Sequence, residues 1–201
     1  MQFRPLLWPT LFALPALLVL LWLGTWQVQR LEWKNQLIED FESRATAAPV
    51  DLPSGDVGPE MEFRRLALTG SYDHDREVFM TGRTYEGNAG FHIVTPFTLT
   101  DGRTVLVNRG WVSESYRDQS KREFTLAAGE VTLAAILRFP GKKGYFVPEN
   151  EPENGFWFTL VPEQIVRHLG LEGQAESDIY AATIRTSETI ELPIAARTET
   201  N

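Results

Sequence analysis

Hydrophobic and polar positions divide the chain sharply near residue 30. From Leu6 to Trp26 the sequence reads LLWPTLFALPALLVLLWLGTW, with no charged residue between Arg4 and Arg30. About 20 apolar residues, rising 1.5 Å each, cover a hydrocarbon core of roughly 30 Å, so the pattern predicts a membrane-spanning helix. Trp8 stands near one end and Trp22 and Trp26 near the other, where amphipathic rings favour the interfaces, and Arg4 and Arg30 bracket the span. Pro9 and Pro15 are tolerable in such a helix. A cleaved signal peptide needs a small-residue site directly after a shorter apolar core. Trp22, Trp26 and Gln27 occupy that place and the Ala45-Thr46-Ala47 triplet lies too far downstream, so the span is read as retained. Residues 1–29 are thus expected to be a transmembrane helix with a short cytoplasmic end.

Beyond it, Trp26, Trp33, Leu37 and Phe41 recur at intervals of seven and four, which predicts that the helix continues to about Arg44. Arg30 and Lys34, one turn apart, would sit near the lipid headgroups. TAAPVDLPSGDVGP, from Thr46 to Pro59, is rich in Pro, Gly and small residues and reads as a linker, so residues 30–59 are a juxtamembrane helix plus linker. From about Glu60 the period changes to two. Leu66, Leu68, Gly70 and Tyr72 share one face, as do Phe91, Ile93, Phe97 and Leu99. Asp101-Gly102 between two such runs predicts a hairpin with a type I′ turn. A further strand is expected in EVTLAAILRF, with shorter ones near Glu77 to Met80, Phe156 to Leu160 and Asp178 to Arg185. PEQIVRHLG, with Pro162 as first helical residue, predicts the one helix of the body. The expected fold class is therefore α+β, mainly antiparallel β, a small barrel or sandwich over residues 60–201 preceded by a transmembrane helix.

Charge narrows the function. Of 19 basic and 27 acidic residues, only Arg4 precedes Arg30, so the remainder is one unit more negative than the chain's net −8. Such a body is a poor nucleic-acid binder, because phosphate affinity needs clustered Lys and Arg. The absence of cysteine excludes disulfides, thiolate metal sites and thiol redox chemistry. No GxSxG, HExxH or GxGxxG motif occurs, and Lys142-Lys143 lacks the context of a phosphate-binding loop. His74, His92 and His168 are far apart and read as structural. The acidic run PENEPEN is broken by Pro148 and Pro152 and reads as an exposed rigid loop rather than a calcium loop.

Four motifs then coincide in order: LGTWQVQRLEWK, GFHIVTPF, VLVNRGWV and FVPENEPENGFWF. Together they resemble the surfeit locus protein 1 family, assembly factors for haem-copper cytochrome oxidases, from about Leu23 to the C-terminus. The resemblance implies no enzyme activity. It implies a domain across the membrane from the cytoplasm: the periplasm for a bacterial inner membrane, the intermembrane side if mitochondrial. Implied partners are oxidase subunit I, other oxidase assembly factors and the lipid bilayer, with haem a as a transient cofactor. The family ends in a second membrane helix opened by an Asn-x-His-Leu-x-Tyr pattern, whose histidine is the expected haem ligand. This chain stops at ARTETN, so that helix is absent from it, and the complete protein is expected to continue into it. No haem-ligand role passes to His74, His92 or His168.

The motif positions carried over are Gly24, Trp26, Gln27, Arg30, Trp33 and Lys34 on the helix and Asn108, Arg109 and Gly110 on the hairpin. Gly24 would admit a neighbouring helix or ligand, and Trp26 offers a broad apolar face. Arg30 would pair with a carboxylate such as a haem propionate, making Trp26 and Arg30 the expected contacts for haem a or a partner. Interface anchoring is the plainer role for the same residues. Arg109 is expected in a structural ion pair beside Gly110, at a bulge. The alternative function is a membrane-tethered structural or interaction module of the envelope without a cofactor; copper delivery is disfavoured by zero Cys and three Met.

Overall fold

The computed structural model describes residues 7–183. They fall into two compact units, a helix up to Arg44 and a body from Ala45. The helix, α1 (Leu7–Thr46), joins the apolar run to the periodic segment without interruption. Pro9 lies in its first turn, where amide hydrogens have no intrahelical acceptor, and Pro15 lies inside it. An 18-residue stretch of α1 is apolar enough, by length and composition, to cross a membrane, and none of it is buried within the protein. Arg4 lies outside the described residues.

The body contains six strands: β1 (Arg65–Tyr72), β2 (Val78–Tyr85), β3 (Asn88–Leu99), β4 (Thr104–Ser113), β5 (Val131–Arg138) and β6 (Tyr180–Thr183). Their pairing closes a ring. β1 pairs with β5, β5 with β6, β6 with β4, β4 with β3, and the C-terminal part of β3 returns to β1. All contacts are antiparallel except β4–β6, so the small barrel expected from the sequence is present, with one parallel seam. β2 extends the sheet along the other half of β3. The interior holds Leu66, Leu68, Phe97, Val105, Val107, Leu133, Leu137 and Ala181. They alternate with less buried neighbours on β1 and β5, as a strand with one face toward water requires. β3 differs, because both its faces are covered. Val94, on the reverse face, packs with Val78, Met80, Leu106, Trp157 and the helix α2 (Pro162–His168) through Ile165 and Val166.

Several local forms depart from the sequence reading. The segment expected to be a linker joins the core: Val50 bridges Leu66, and Leu52 is buried. Arg103 holds it there, donating to the carbonyls of Leu52 and Pro53 at 2.9 and 2.6 Å while pairing with Asp101 and Glu176. The hairpin at Asp101-Gly102 forms, but only Gly102 takes positive φ (88°), and the Gly102 amide donates to Leu99 O at 2.9 Å. Asp101 keeps negative φ because its carboxylate receives the Arg103 amide and guanidinium at 3.0 and 2.8 Å. The two-residue turn with both centres at positive φ is instead Glu86-Gly87 (49° and 81°), between β2 and β3. Phe156 to Leu160 makes only single bridges, Trp157 to Met80 and Phe156 to Glu151. Asn150 takes the place of a partner strand, its Oδ1 accepting from the amides of Phe158 and Thr159 at 2.8 and 2.9 Å. Of the strand expected from Asp178 to Arg185, Tyr180–Thr183 forms β6, while Ile184, Arg185 and the ARTETN end lie outside the described residues.

Gly70 is paired with Leu99 of β3 on one side and Val131 of β5 on the other. A Cβ there would stand 2.1 Å from Thr98 O and 2.9 Å from Leu99 Cα, both backbone atoms that cannot swing away. Gly70→Ala is therefore expected to destabilise the body by about 3 kcal/mol. Gly141→Ala, where a Cβ meets nothing within 4 Å, should change stability by no more than about 0.5 kcal/mol. Denaturant midpoints of the two variants check the contrast.

Candidate functional site

The helix motif lies wholly on the surface. Trp26 and Trp33 are 48% and 49% exposed, and Gln27, Arg30 and Lys34 are exposed too. At about 100° per residue, Trp22, Trp26, Arg30, Trp33 and Leu37 fall in one stripe roughly 80° wide, with Lys34 and Gln27 along its edge. Within the stripe the Arg30 guanidinium lies 4.1 Å from the centre of the Trp33 ring. Stacking on the ring face leaves the in-plane N–H groups of arginine directed outward, the geometry that grips a carboxylate with two bonds. Among the described residues no carboxylate lies in ion-pair range of Arg30 or Lys34. Gly24 does not share this face. It stands roughly 160° around the helix from Trp26, in a shallow groove with Leu21, Val28 and Glu32, and nothing approaches its open side within 4 Å.

The hairpin motif is built differently. Ile93 pairs with Gly110 but Val94 pairs with Asn108, so Arg109 is the extra residue of a β-bulge. Gly110 takes φ 104°, and its amide donates to Asn108 Oδ1 at 3.0 Å. The extra residue shifts the alternation by one: Val105 and Val107 before it and Val112 after it share a face with Phe97, Thr95, Ile93 and Phe91. Arg109 itself is buried, donates to the Thr125 carbonyl, lies 3.4 Å from His74 Nδ1, and stacks 5.0 Å from the Tyr72 ring centre. These contacts give it a structural role at the expected bulge, through a carbonyl, an imidazole and an aromatic ring.

Both sides of this bulge lead to histidines. His74 Nε2 faces the Ala127 carbonyl at 3.0 Å, so Nε2 carries the proton and Nδ1 accepts from Arg109. His92 Nδ1 meets the Asn108 amide nitrogen at 3.2 Å, so the amide donates and Nδ1 accepts. Burial pulls both imidazole pKa values below 6.5; Arg109 adds to this at His74 and Arg83 at His92, while the Ala127 bond acts the other way at His74. His168, exposed on α2, lies edge-on to Trp157 at 5.3 Å. None of the three is presented as a free ligand by its surroundings.

Sequence reasoning missed a second buried cation nearby. Arg122 has no exposed surface, pairs with Glu77, donates from Nε to Tyr116 O at 3.0 Å and lies 5.6 Å from the Phe79 ring. Nothing in the local sequence SKREF distinguishes it from a solvated charge, because its burial comes from a 3₁₀ turn laid across distant strands. The two motifs therefore have opposite characters. The barrel motif spends its polar groups internally, whereas the α1 stripe presents an apolar ring face and a cation outward.

Because the folded state favours neutral His74 and His92, the body should be fully stable above about pH 6.5 and lose stability as pH falls through their lowered values. The denaturant midpoint is expected to fall between about pH 7.5 and about pH 5.5, both above the ordinary carboxylate range, and to fall less in the His74→Gln, His92→Gln variant.

Known proteins resemble this chain over most of its length. The SURF1 family profile matches residues 14–200, which include both motifs. Surfeit locus protein 1 of Mus musculus is 38% identical over 166 residues, 75% of this chain and 54% of that protein. The human protein of the same name is 38% identical over 167 residues, 75% and 56% of the two chains. A SURF1-like protein of Caenorhabditis elegans is 33% identical over 186 residues, 81% and 57%. The chain thus spans a little over half the length of the curated relatives it matches. With the profile covering the α1 stripe, the bulge and the acidic loop in one continuous match, the chain belongs to the SURF1 family.

Proposed function

We propose that the chain is a membrane-anchored assembly factor for haem-copper cytochrome c oxidase and not an enzyme. It holds subunit I, with its haem a, beside the bilayer in company with other assembly factors. α1 crosses the inner membrane and the barrel domain lies on the periplasmic side, or the intermembrane side in a mitochondrion. One observation carries this reading: the exposed stripe of α1, where Arg30 is stacked on Trp33 beside Trp26 at the end of the apolar segment.

The stripe suits part of a haem. Arg30 would hold a propionate and Trp26 would cover the flat apolar macrocycle. Haem a, when bound, would supply its own iron and redox chemistry; the residues here only bind, orient and shield it. An axial ligand is not among the motif residues, and His74 and His92 are engaged by Arg109 and Asn108. Handling of haem by this chain is therefore by surface contact beside the membrane.

The test is the pair Trp26→Ala with Arg30→Ala. Both side chains are exposed, so fold stability should change by under about 1 kcal/mol, whereas loss of an anchoring Trp or Arg at a contact costs about 2 kcal/mol or more. Haem a content and oxidase activity are expected to fall at equal protein abundance. The milder pair Trp26→Tyr with Arg30→Lys should fail as well, since lysine lacks the planar fork. Full function in the milder pair would indicate interface anchoring only, the role expected of an envelope module without a cofactor. For topology, a reporter active only outside the cytoplasm and fused after Asn201 is expected to be active; activity of a cytoplasm-only reporter at that position would reverse the assignment.

A further inference from the structure

The most exposed aromatic side chains of the described body are adjacent, Tyr145 and Phe146, each 94% exposed. They occupy the two central positions of a turn closed by the Val147 amide donating to Gly144 O at 3.1 Å, and their rings touch edge to face at 5.2 Å. Lys142 and Lys143 precede them, with Gly144 between. The roots of the loop are fixed, because Phe139 packs against the barrel core and Asn150 is bonded to Thr159 O and Gln164 Oε1. A held loop that thrusts two large rings into water loses the hydrophobic effect for both of them, which a chain tolerates where something apolar covers them.

We propose that the Phe139–Pro148 loop is a second membrane contact: Tyr145 and Phe146 enter the interface of an anionic bilayer while Lys142 and Lys143 meet its phosphates. This rests on the reading that α1 spans a membrane, which keeps the body permanently tethered near lipid.

Three observations favour lipid over a protein groove. From Phe139 to Pro148 the chain carries two cations and no anion, within a body of net negative charge, so this projection is attractive to anionic headgroups. Rings with basic neighbours match the composition of membrane interfaces. Lys143 now pairs with Glu149, but that carboxylate is 81% exposed, and such a pair is readily exchanged for a phosphate. Each lysine near an anionic surface favours the bound state by about fivefold, too little to localise a free domain. The tether removes that requirement by supplying a high effective concentration.

Because the chain has no cysteine, a single thiol reports depth without background. Gly141→Cys adds a side chain into open space at the edge of the tip, and Ser54→Cys, on an exposed loop, is the control. Each full chain is spin-labelled and reconstituted in vesicles of phosphatidylglycerol with phosphatidylethanolamine, or of phosphatidylcholine alone. At position 141, collisions with oxygen should rise and collisions with a water-soluble nickel complex should fall at least twofold in the anionic vesicles relative to position 54. The shift should vanish when Lys142→Glu, Lys143→Glu, Tyr145→Ser and Phe146→Ser are combined. Resistance to alkaline carbonate scores the α1 span separately, and the four loop changes should leave it intact. A chain that resists carbonate but keeps its 141 label in water overturns the loop proposal, as does a label shielded only when oxidase subunits are co-reconstituted, which would make the loop a protein contact. A chain extracted by carbonate overturns the span instead; the loop is then read by sedimentation with anionic vesicles at neutral pH, and independence of that binding from residues 142–146 overturns it.

Discussion

Closure of the barrel rests on a backbone approach that only glycine permits. At Gly70 a single residue of β1 serves two partners, Leu99 and Val131, and the Thr98 carbonyl occupies the space where a side chain would begin. With β3 and β5 brought to the same strand, the faces of β1, β3, β4 and β5 turn toward one another and Phe97 reaches the interior with Leu66 and Leu137. The covered reverse face of β3 follows from the same geometry. β3 is shared between β1 at one end and β2 at the other, so its middle has no open side, and the Trp157 and α2 layer completes its burial. Without that close contact the sheet would be an open one with two bare edges.

A similar economy of backbone governs the motif at Asn108, Arg109 and Gly110. The extra residue re-aims β4 midway, and Asn108 caps the distortion by accepting the Gly110 amide. Arg109 then ties β4 to the His74 turn and the Thr125 carbonyl. Desolvating a guanidinium is costly unless its donors are met, and this one is surrounded by a carbonyl, an imidazole and a ring. The α1 motif follows the reverse logic, since its cation stays in water with its fork directed outward. The two clusters thus differ in burial: one is bonded within the body and the other is exposed on α1.

Much of this was legible from periodicity. Leu66 and Leu68, the Phe97 face and the helix opening at Pro162 are all written as spacing, because strands and helices with one wet face must alternate at two or 3.6 residues. What was not legible depends on side chains acting at a distance. Val50 and Leu52 look like linker until Arg103, some fifty residues later, supplies partners for the Leu52 and Pro53 carbonyls. The Phe156 to Leu160 run has strand composition, but Asn150 takes two of its amides. Glu86 at positive φ gives no signal, since glutamate is not a residue that prefers it. At the sites, the helical period that puts Trp26, Trp33 and Leu37 on one face is carried by α1, which runs unbroken through all three. The burial of Arg122 did not show, because a charged residue in a polar stretch reads the same whether or not distant strands close over it.

The parallel seam between β4 and β6 has a bearing on biogenesis. β6 is the last of the described strands in sequence yet sits between β4 and β5, which do not pair with each other. During synthesis the other five strands are therefore complete while the cylinder is still split lengthwise, with two ladder edges and the Leu137 and Val107 side chains uncovered. That split form lasts until residues 180–183 follow. Long-range strand insertion of this kind is slow compared with local hairpins, and open edges invite pairing with other chains. A domain built this way passes through its most vulnerable state before β6 docks, so its dependence on folding helpers and proteases is set by the arrival of that one strand rather than by the stability of the finished barrel.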